Sequence, residues 1–327
     1  MAKPSSTIDI RPLPIRLGIS HCLLGEPVRY DGGHKRDRFL VDILGEHVEW
    51  VPVCPEVEAG FGTPRESMRL VDDLKSPRLM TIRSQKDLTK PIERYAKQRL
   101  RDLQSENLSG YVFKKGSPSC GTQRIRVYDR EGHSIGHGKG LFAKAFEQRF
   151  PLIPIEEEGR LQDPHLRENF IERVFGYHRW QSHTFNTRLT RKALIEFHTI
   201  HKYLLLAHSR SHYQKLGLLV AHAKEYPLRQ LFDAYGQLFM EGLSIKTTIR
   251  KHMNVLQHLA GHLKGVLSPK ARGELHEIIH DYHQGLVPLS VPITLIRHYV
   301  RVFDIPYLGE QVYLDPHPKE LMLRNHV

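Results

Sequence analysis

The chain has 327 residues, 40% apolar and 26% charged, with a net charge of +12, an ordinary globular composition long enough for two domains. No apolar run approaches the ~18 residues of a membrane span. The first sixteen residues, with Lys3, Asp9, Arg11 and three prolines, lack the apolar core of a signal peptide. These features predict a cytoplasmic protein with no membrane contact. Its three cysteines, Cys22, Cys54 and Cys120, are then expected to stay reduced and to serve a metal or catalysis rather than a disulfide framework.

In chain order, an apolar run at 15–19 predicts a buried strand ending at Ser20-His21-Cys22. The loop through Gly25, Pro27, Gly32 and Gly33 leads to a predicted helix over 34–46. A second strand, 48–53, ends at Cys54-Pro55-Glu56, and Gly60 to Arg65 reads as a loop. Residues 68–71 and 79–82 suggest a hairpin. A helix follows from Thr89, its expected cap, to about Ser105. A third strand, 110–113, precedes the turn Ser117-Pro118-Ser119-Cys120-Gly121; strands at 125–128 and 152–155 flank a helix at 140–150.

This alternation argues for an α/β region with a mostly parallel sheet. Ligands in such sheets bind beyond the carboxyl ends of the strands, and each cysteine follows one such end. From residue 159 helical periodicity takes over: 169–188, 190–211, 212–223, 228–240, 244–264, 268–284 and 292–302, with breaks marked by Pro227, Gly261, Pro269 and Gly285. The expected domains are 1–158 and an all-helical 159–327. The first carries 26 basic against 22 acidic side chains, the second 22 against 14, together with 17 of the 22 histidines. Such a surface either attracts anionic ligands or simply solubilises the chain.

Three thiolates can hold three irons of a [4Fe–4S] cube and leave the fourth open to a soft ligand such as sulfur. A three-cysteine zinc site and three inert buried cysteines are the alternatives at this stage.

Ser20-His21-Cys22-Leu23-Leu24-Gly25 with Val28-Arg29-Tyr30-Asp31-Gly32, Cys54-Pro55-Glu56-Val57 with Gly62-Thr63-Pro64-Arg65, and Ser117-Pro118-Ser119-Cys120-Gly121 resemble the thiouracil desulfidase family. The likeness covers roughly residues 14–155. Phe197-His198-Thr199-Ile200-His201-Lys202-Tyr203, Asn254-Val255-Leu256-Gln257-His258-Leu259 and Pro288-Leu289 are similar to the helical YbgA-type domain often fused to it. The resemblance implies cluster-dependent, non-redox removal of sulfur from thiolated uracils. Cys22, Cys54 and Cys120 would ligate a [4Fe–4S] cluster with one open iron, which binds the thiocarbonyl sulfur. Glu56 would activate water and Ser117 would assist. The implied partner is a small thiolated pyrimidine or its nucleotide; RNA is not the expected partner. The alternative class is an iron–sulfur or zinc protein that binds nucleic acid or regulates.

Plainer readings exist for each candidate. Glu56 could pair with Arg65 or Lys35, and Ser117 could serve a turn. Asp31 suits a turn beside Gly32-Gly33, and Arg29 or Lys35 either meets a phosphate or stays solvated. His201, His208 and His212 share a helical face near His198 and are expected to be separate core or interface residues. His198, His201 and Lys202 could instead bind phosphate, with Lys251, His252, His258 and Lys264 adding positive charge.

Overall fold

The computed structural model describes residues 14–129, 131–186 and 189–326. The N-terminal stretch read for a targeting signal falls, up to residue 13, outside them. Among the described residues, eight strands form two four-stranded sheets: β1 (Arg16–Ser20), β2 (Glu49–Val53), β3 (Met68–Val71), β4 (Arg78–Thr81), β5 (Leu108–Phe113), β6 (Ile125–Tyr128), β7 (Ser134–Gly138) and β8 (Ile155–Glu157). The first sheet runs β2-β1-β5-β8 and is parallel throughout. All six residues of β5 are buried, as expected of a strand covered on both faces. The second sheet runs β4-β3-β6-β7; only β3 and β6 pair in parallel. In the first sheet the strand order reverses between β1 and β5, and a crevice opens at such a reversal.

The expected hairpin is present as β3–β4. β7, where no strand was expected, pairs with β6 at the sheet edge. The last strand lies at 155–157 rather than 152–155.

The helix expected over 34–46 does not form. Lys35 N donates to Cys22 O at 2.8 Å and Asp37 N to Leu23 O at 3.0 Å, which ties this stretch to the first cysteine loop. Only a wide π-turn (Phe39–Ile43) and a 3₁₀ turn follow. The strand-flanking helices are α1 (Pro55–Glu58), α2 (Thr89–Gln104) and α3 (Leu141–Arg149). Thr89 does not cap α2; its Oγ1 accepts from Leu79 N at 2.9 Å and ties the helix to β4.

The helical region comprises α4 (Pro164–Asn186), α5 (Arg191–His208), α6 (Arg210–Ala221), α7 (Leu228–Ser244), α8 (Ile249–Leu263), α9 (Pro269–His283), α10 (Ser290–Val302) and α11 (Pro306–Gly309). Residues 187 and 188 of the expected first helix lie outside the described residues. Thr190, Ser209, Thr248 and Ser268 each accept a backbone N–H three residues on, which satisfies a donor the helix leaves free. Ser209 places the first break earlier than expected, and Gly261 lies inside α8 rather than ending it.

α4 is apolar on two sides. Trp180 joins the helical core. Phe170, Ile171, Val174 and Phe175 pack with Leu17, Ile19 and Val112 of the parallel sheet. A Cβ on Gly110 would lie 2.7 Å from Val174 Cγ2, so glycine there lets the helix sit down on β5. Gln181 Nε2 donates to Leu108 O at 3.2 Å. Leu321 and Leu323, near the end of the chain, join the same core.

Beside them lies a buried polar network. Arg324 donates to Glu172 Oε1 at 2.6 Å, and His208 Nε2 is 2.9 Å from Glu172 Oε2. Burial opposes ionisation, yet the charges of Arg324 and His208 hold Glu172 well below the usual carboxylate range. Burial and the Glu172 charge push Glu168 up to about 8. A carboxyl raised on folding binds more protons folded than unfolded, so its contribution to stability is lost as pH rises from about 4.5 to about 8. Glu168→Gln is therefore expected to flatten the fall in Tm across that window, checked by melting curves at several pH values.

Candidate active site

The carboxyl ends of β1, β2 and β5 deliver the three cysteines to one cavity of about 280 Å³. Its wall includes Cys22, Cys54, Cys120, Glu56 and Ser117, so all five residues singled out in the sequence meet there. Cys22 follows β1 in a 3₁₀ turn, and its carbonyl is held by Lys35 N. Cys54 precedes α1, whose Pro55 suits a first-turn position; its N–H donates to Glu58 Oε1 at 2.7 Å. Its Sγ lies 3.9 Å from Val28 O.

The third cysteine sits in a tight loop. Ser117 Oγ accepts from Ser119 N at 3.2 Å and from Cys120 N at 3.1 Å. Gly140 backs this loop; a Cβ there would stand 2.5 Å from Ser119 O. Buried Glu157, at the end of β8, accepts from Thr122 N at 2.7 Å and fixes the exit from the loop. Glu158 binds Lys114 and accepts from Lys115 N at 2.7 Å. Neither glutamate was foreseen, because Glu156-Glu157-Glu158 reads as a solvated boundary between regions.

Glu56 is 9% exposed and divided between two partners. Ser117 Oγ donates to its Oε1 at 3.1 Å, while Arg65 grips Oε2 through Nε, at 3.0 Å, and Nη2. The Arg65 pairing considered from the sequence is thus present, and it leaves Oε1 to Ser117 and the cavity. Burial pushes the Cys22 thiol up to about 11, although Lys114 works against the shift. Burial also raises Cys54, and raises Cys120 further with help from the Glu56 charge. Thiols held neutral by burial become thiolates when a cation neutralises them, and the set of three soft donors suits iron.

Asp31 makes the expected turn, its Oδ1 accepting from Gly33 N at 3.1 Å. Arg29 lines the cavity, whereas Lys35 is not among its lining residues. The helical histidines take separate partners. His201 is fully buried between Phe197 O and Arg179, which removes it from any phosphate site. His198 meets Tyr235 and His212 meets Ser209. Lys202 lies over the rings of Tyr203 and Tyr307. His252 is buried against Tyr313, and Lys251 caps His208 O and Lys246 O. Among the described residues, no three His, Cys, Asp or Glu side chains converge tightly enough to hold a single metal ion.

The parallel sheet and its cavity define an α/β protein with three thiols, a carboxylate and a serine at the strand ends. Residues 17–158 match the family model described as 2-thiouracil desulfurase, and residues 202–318 match one described as a protein of unknown function, DUF1722. The N-terminal region belongs to the 2-thiouracil desulfurase family, and a helical YbgA-type region follows it. It is 33% identical over 138 residues to the uncharacterized protein YbgA of Escherichia coli K12, covering 42% of this chain and 82% of that one. It is 30% identical over 145 residues to the uncharacterized protein YbbK of Bacillus subtilis 168, covering 43% and 95% respectively. A solved structure titled as a [4Fe-4S]-dependent thiouracil desulfidase, TudS, is 32% identical; the match covers 45% of this chain and 93% of that one, with a TM-score of 0.37.

Proposed function

We propose that the protein hydrolyses thiolated uracil compounds, converting C=S and water to C=O and hydrogen sulfide. The observation that carries this reading is the Glu56–Ser117 pair on the same cavity wall as the three thiols, in a chain of the desulfurase family. Cys22, Cys54 and Cys120 would hold a [4Fe–4S] cluster. When bound, the cluster supplies an open iron, a Lewis acid with affinity for sulfur.

The chain's own groups supply the proton chemistry. Arg65 occupies Oε2 of Glu56, so Oε1 is the atom that accepts the proton of water. Ser117 holds Oε1 at the cavity wall, and protonation of Oε1 weakens that bond and frees the hydroxyl hydrogen for the pyrimidine. The loop that carries Ser117 also carries Cys120, so acid–base groups and ligands share one rigid frame. The preferred compound in this reading is 4-thiouracil, 4-thiouridine or its monophosphate, and the domain boundary lies near residue 158.

The test is an anaerobic assay of cluster-loaded protein with 4-thiouracil and with 4-thiouridine monophosphate, following thiocarbonyl absorbance and sulfide. Release of sulfide with loss of the absorbance is expected from at least one of them. No release from either, together with tight salt-sensitive RNA binding, would establish the nucleic-acid-binding alternative instead. Cys120→Ala is expected to bring iron and acid-labile sulfide close to zero, measured beside the visible spectrum; full retention of both would remove Cys120 from the ligand set.

A further inference from the structure

We infer that Arg65 is a positioning residue for the water-activating carboxylate, an inference that rests on the reading of Glu56 given above. Its side chain is 7% exposed and stands nine residues from its partner in sequence. Nε and Nη2 both reach Glu56 Oε2. Nη1 donates to Val28 O at 3.0 Å and to Gly62 O at 2.9 Å, and lies 3.3 Å from Thr63 Oγ1. Arg65 N, in turn, donates to Tyr30 O at 2.9 Å.

Arg65 lines the cavity, yet each of its guanidinium nitrogens already has a protein acceptor, so the group is engaged with its own chain. It joins three pieces of the site: the loop after Cys22, the loop at 62–65 and the first turn after Cys54. Val28 O, which receives Nη1, also lies 3.9 Å from Cys54 Sγ. The rigid fork fixes which carboxylate oxygen is spent on the ion pair and which is left to Ser117. A lysine keeps the charge but, as a single ammonium on a flexible stem, cannot reproduce the fork.

The experiment compares wild type, Arg65→Lys, Glu56→Ala and the double variant as anaerobically reconstituted full-length proteins. Arg65→Lys is expected to keep the iron content and visible spectrum, to lower kcat for 4-thiouracil about 10- to 100-fold, and to change KM less than about threefold. In the Glu56→Ala background the lysine substitution should have no further effect, since the residue acts only through the carboxylate. A crystal structure of cluster-free Arg65→Lys should show the Glu56 Oε1–Ser117 Oγ hydrogen bond, 3.1 Å in the wild type, broken. Unchanged kcat, a rise in KM alone, an additive loss in the double variant, or an intact hydrogen bond in that crystal would each overturn the inference. Wild-type protein inactive on every thiolated uracil would overturn the proposed function alone, because the crystallographic comparison still decides the role of Arg65.

Discussion

Glu56→Gln is expected to lower kcat for desulfuration by about 10²- to 10⁴-fold, the usual worth of a positioned general base. The amide has the same shape, and its oxygen can still accept from Arg65 or Ser117, but it cannot take a proton from water. Cys22 is held through Lys35 N and Cys54 through Glu58, neither by this carboxylate; Cys120 is held through Ser117, whose hydroxyl bonds Glu56 and can still donate to the amide oxygen. Iron content and the visible spectrum should therefore match the wild type. Some stability will be lost, since the substitution leaves the buried Arg65 charge without its counter-ion, and breaking such pairs costs about 3–5 kcal/mol in other proteins. Steady-state kinetics beside an iron assay and a melting curve separate these effects. A variant that turns over at the wild-type rate would mean that another group activates the water.

The second large effect concerns the helical region. A fragment ending at residue 158 is expected to aggregate or remain unfolded, even though it spans the whole desulfurase match. It would lose Leu161, Phe170, Ile171, Val174, Phe175, Leu321 and Leu323 from the core under β1 and β5. At about 1.5–3 kcal/mol per fully buried apolar side chain, that is comparable with the ~5–15 kcal/mol by which a domain is stable at all. It would also strip the hydrogen bonds from Gln181 to Leu108 O and between Ser109 and the same glutamine. Gel filtration and circular dichroism of the fragment provide the check. A monomeric, cooperatively melting 1–158 would show that the sheet face tolerates exposure.

The sheet edge was legible because the strands of a buried parallel sheet read as short apolar runs, and the cysteines stand where those runs stop. That logic brings Cys22, Cys54 and Cys120 to one sheet edge; Glu56 and Ser117 are implied only by the family resemblance. Other parts depend on partners distant in sequence. Residues 34–46 carry a helical pattern, but the carbonyls of Cys22 and Leu23 capture the N–H groups of Lys35 and Asp37 at its start. Glu157 looks like one acid in a solvated run until β8 turns it under the third cysteine loop. α4 reads as the first helix of a separate region, since one amphipathic pattern cannot reveal that a helix is wanted on two sides. Arg65 belongs to a readable Gly-Thr-Pro-Arg turn, yet its fourfold bonding joins loops that periodicity does not connect.

Leu321 and Leu323, beside the buried Arg324, complete a core begun about 300 residues earlier by Leu17 and Ile19. Synthesis on the ribosome proceeds in the opposite sense to what such a core needs. The earliest strands to emerge must wait for about 300 further residues before their lower face is finished, at ~5–20 residues per second a delay of roughly 15–60 seconds. During that interval the nascent sheet offers its apolar underside to the cell, so the first strands stay exposed while the whole helical region is being made.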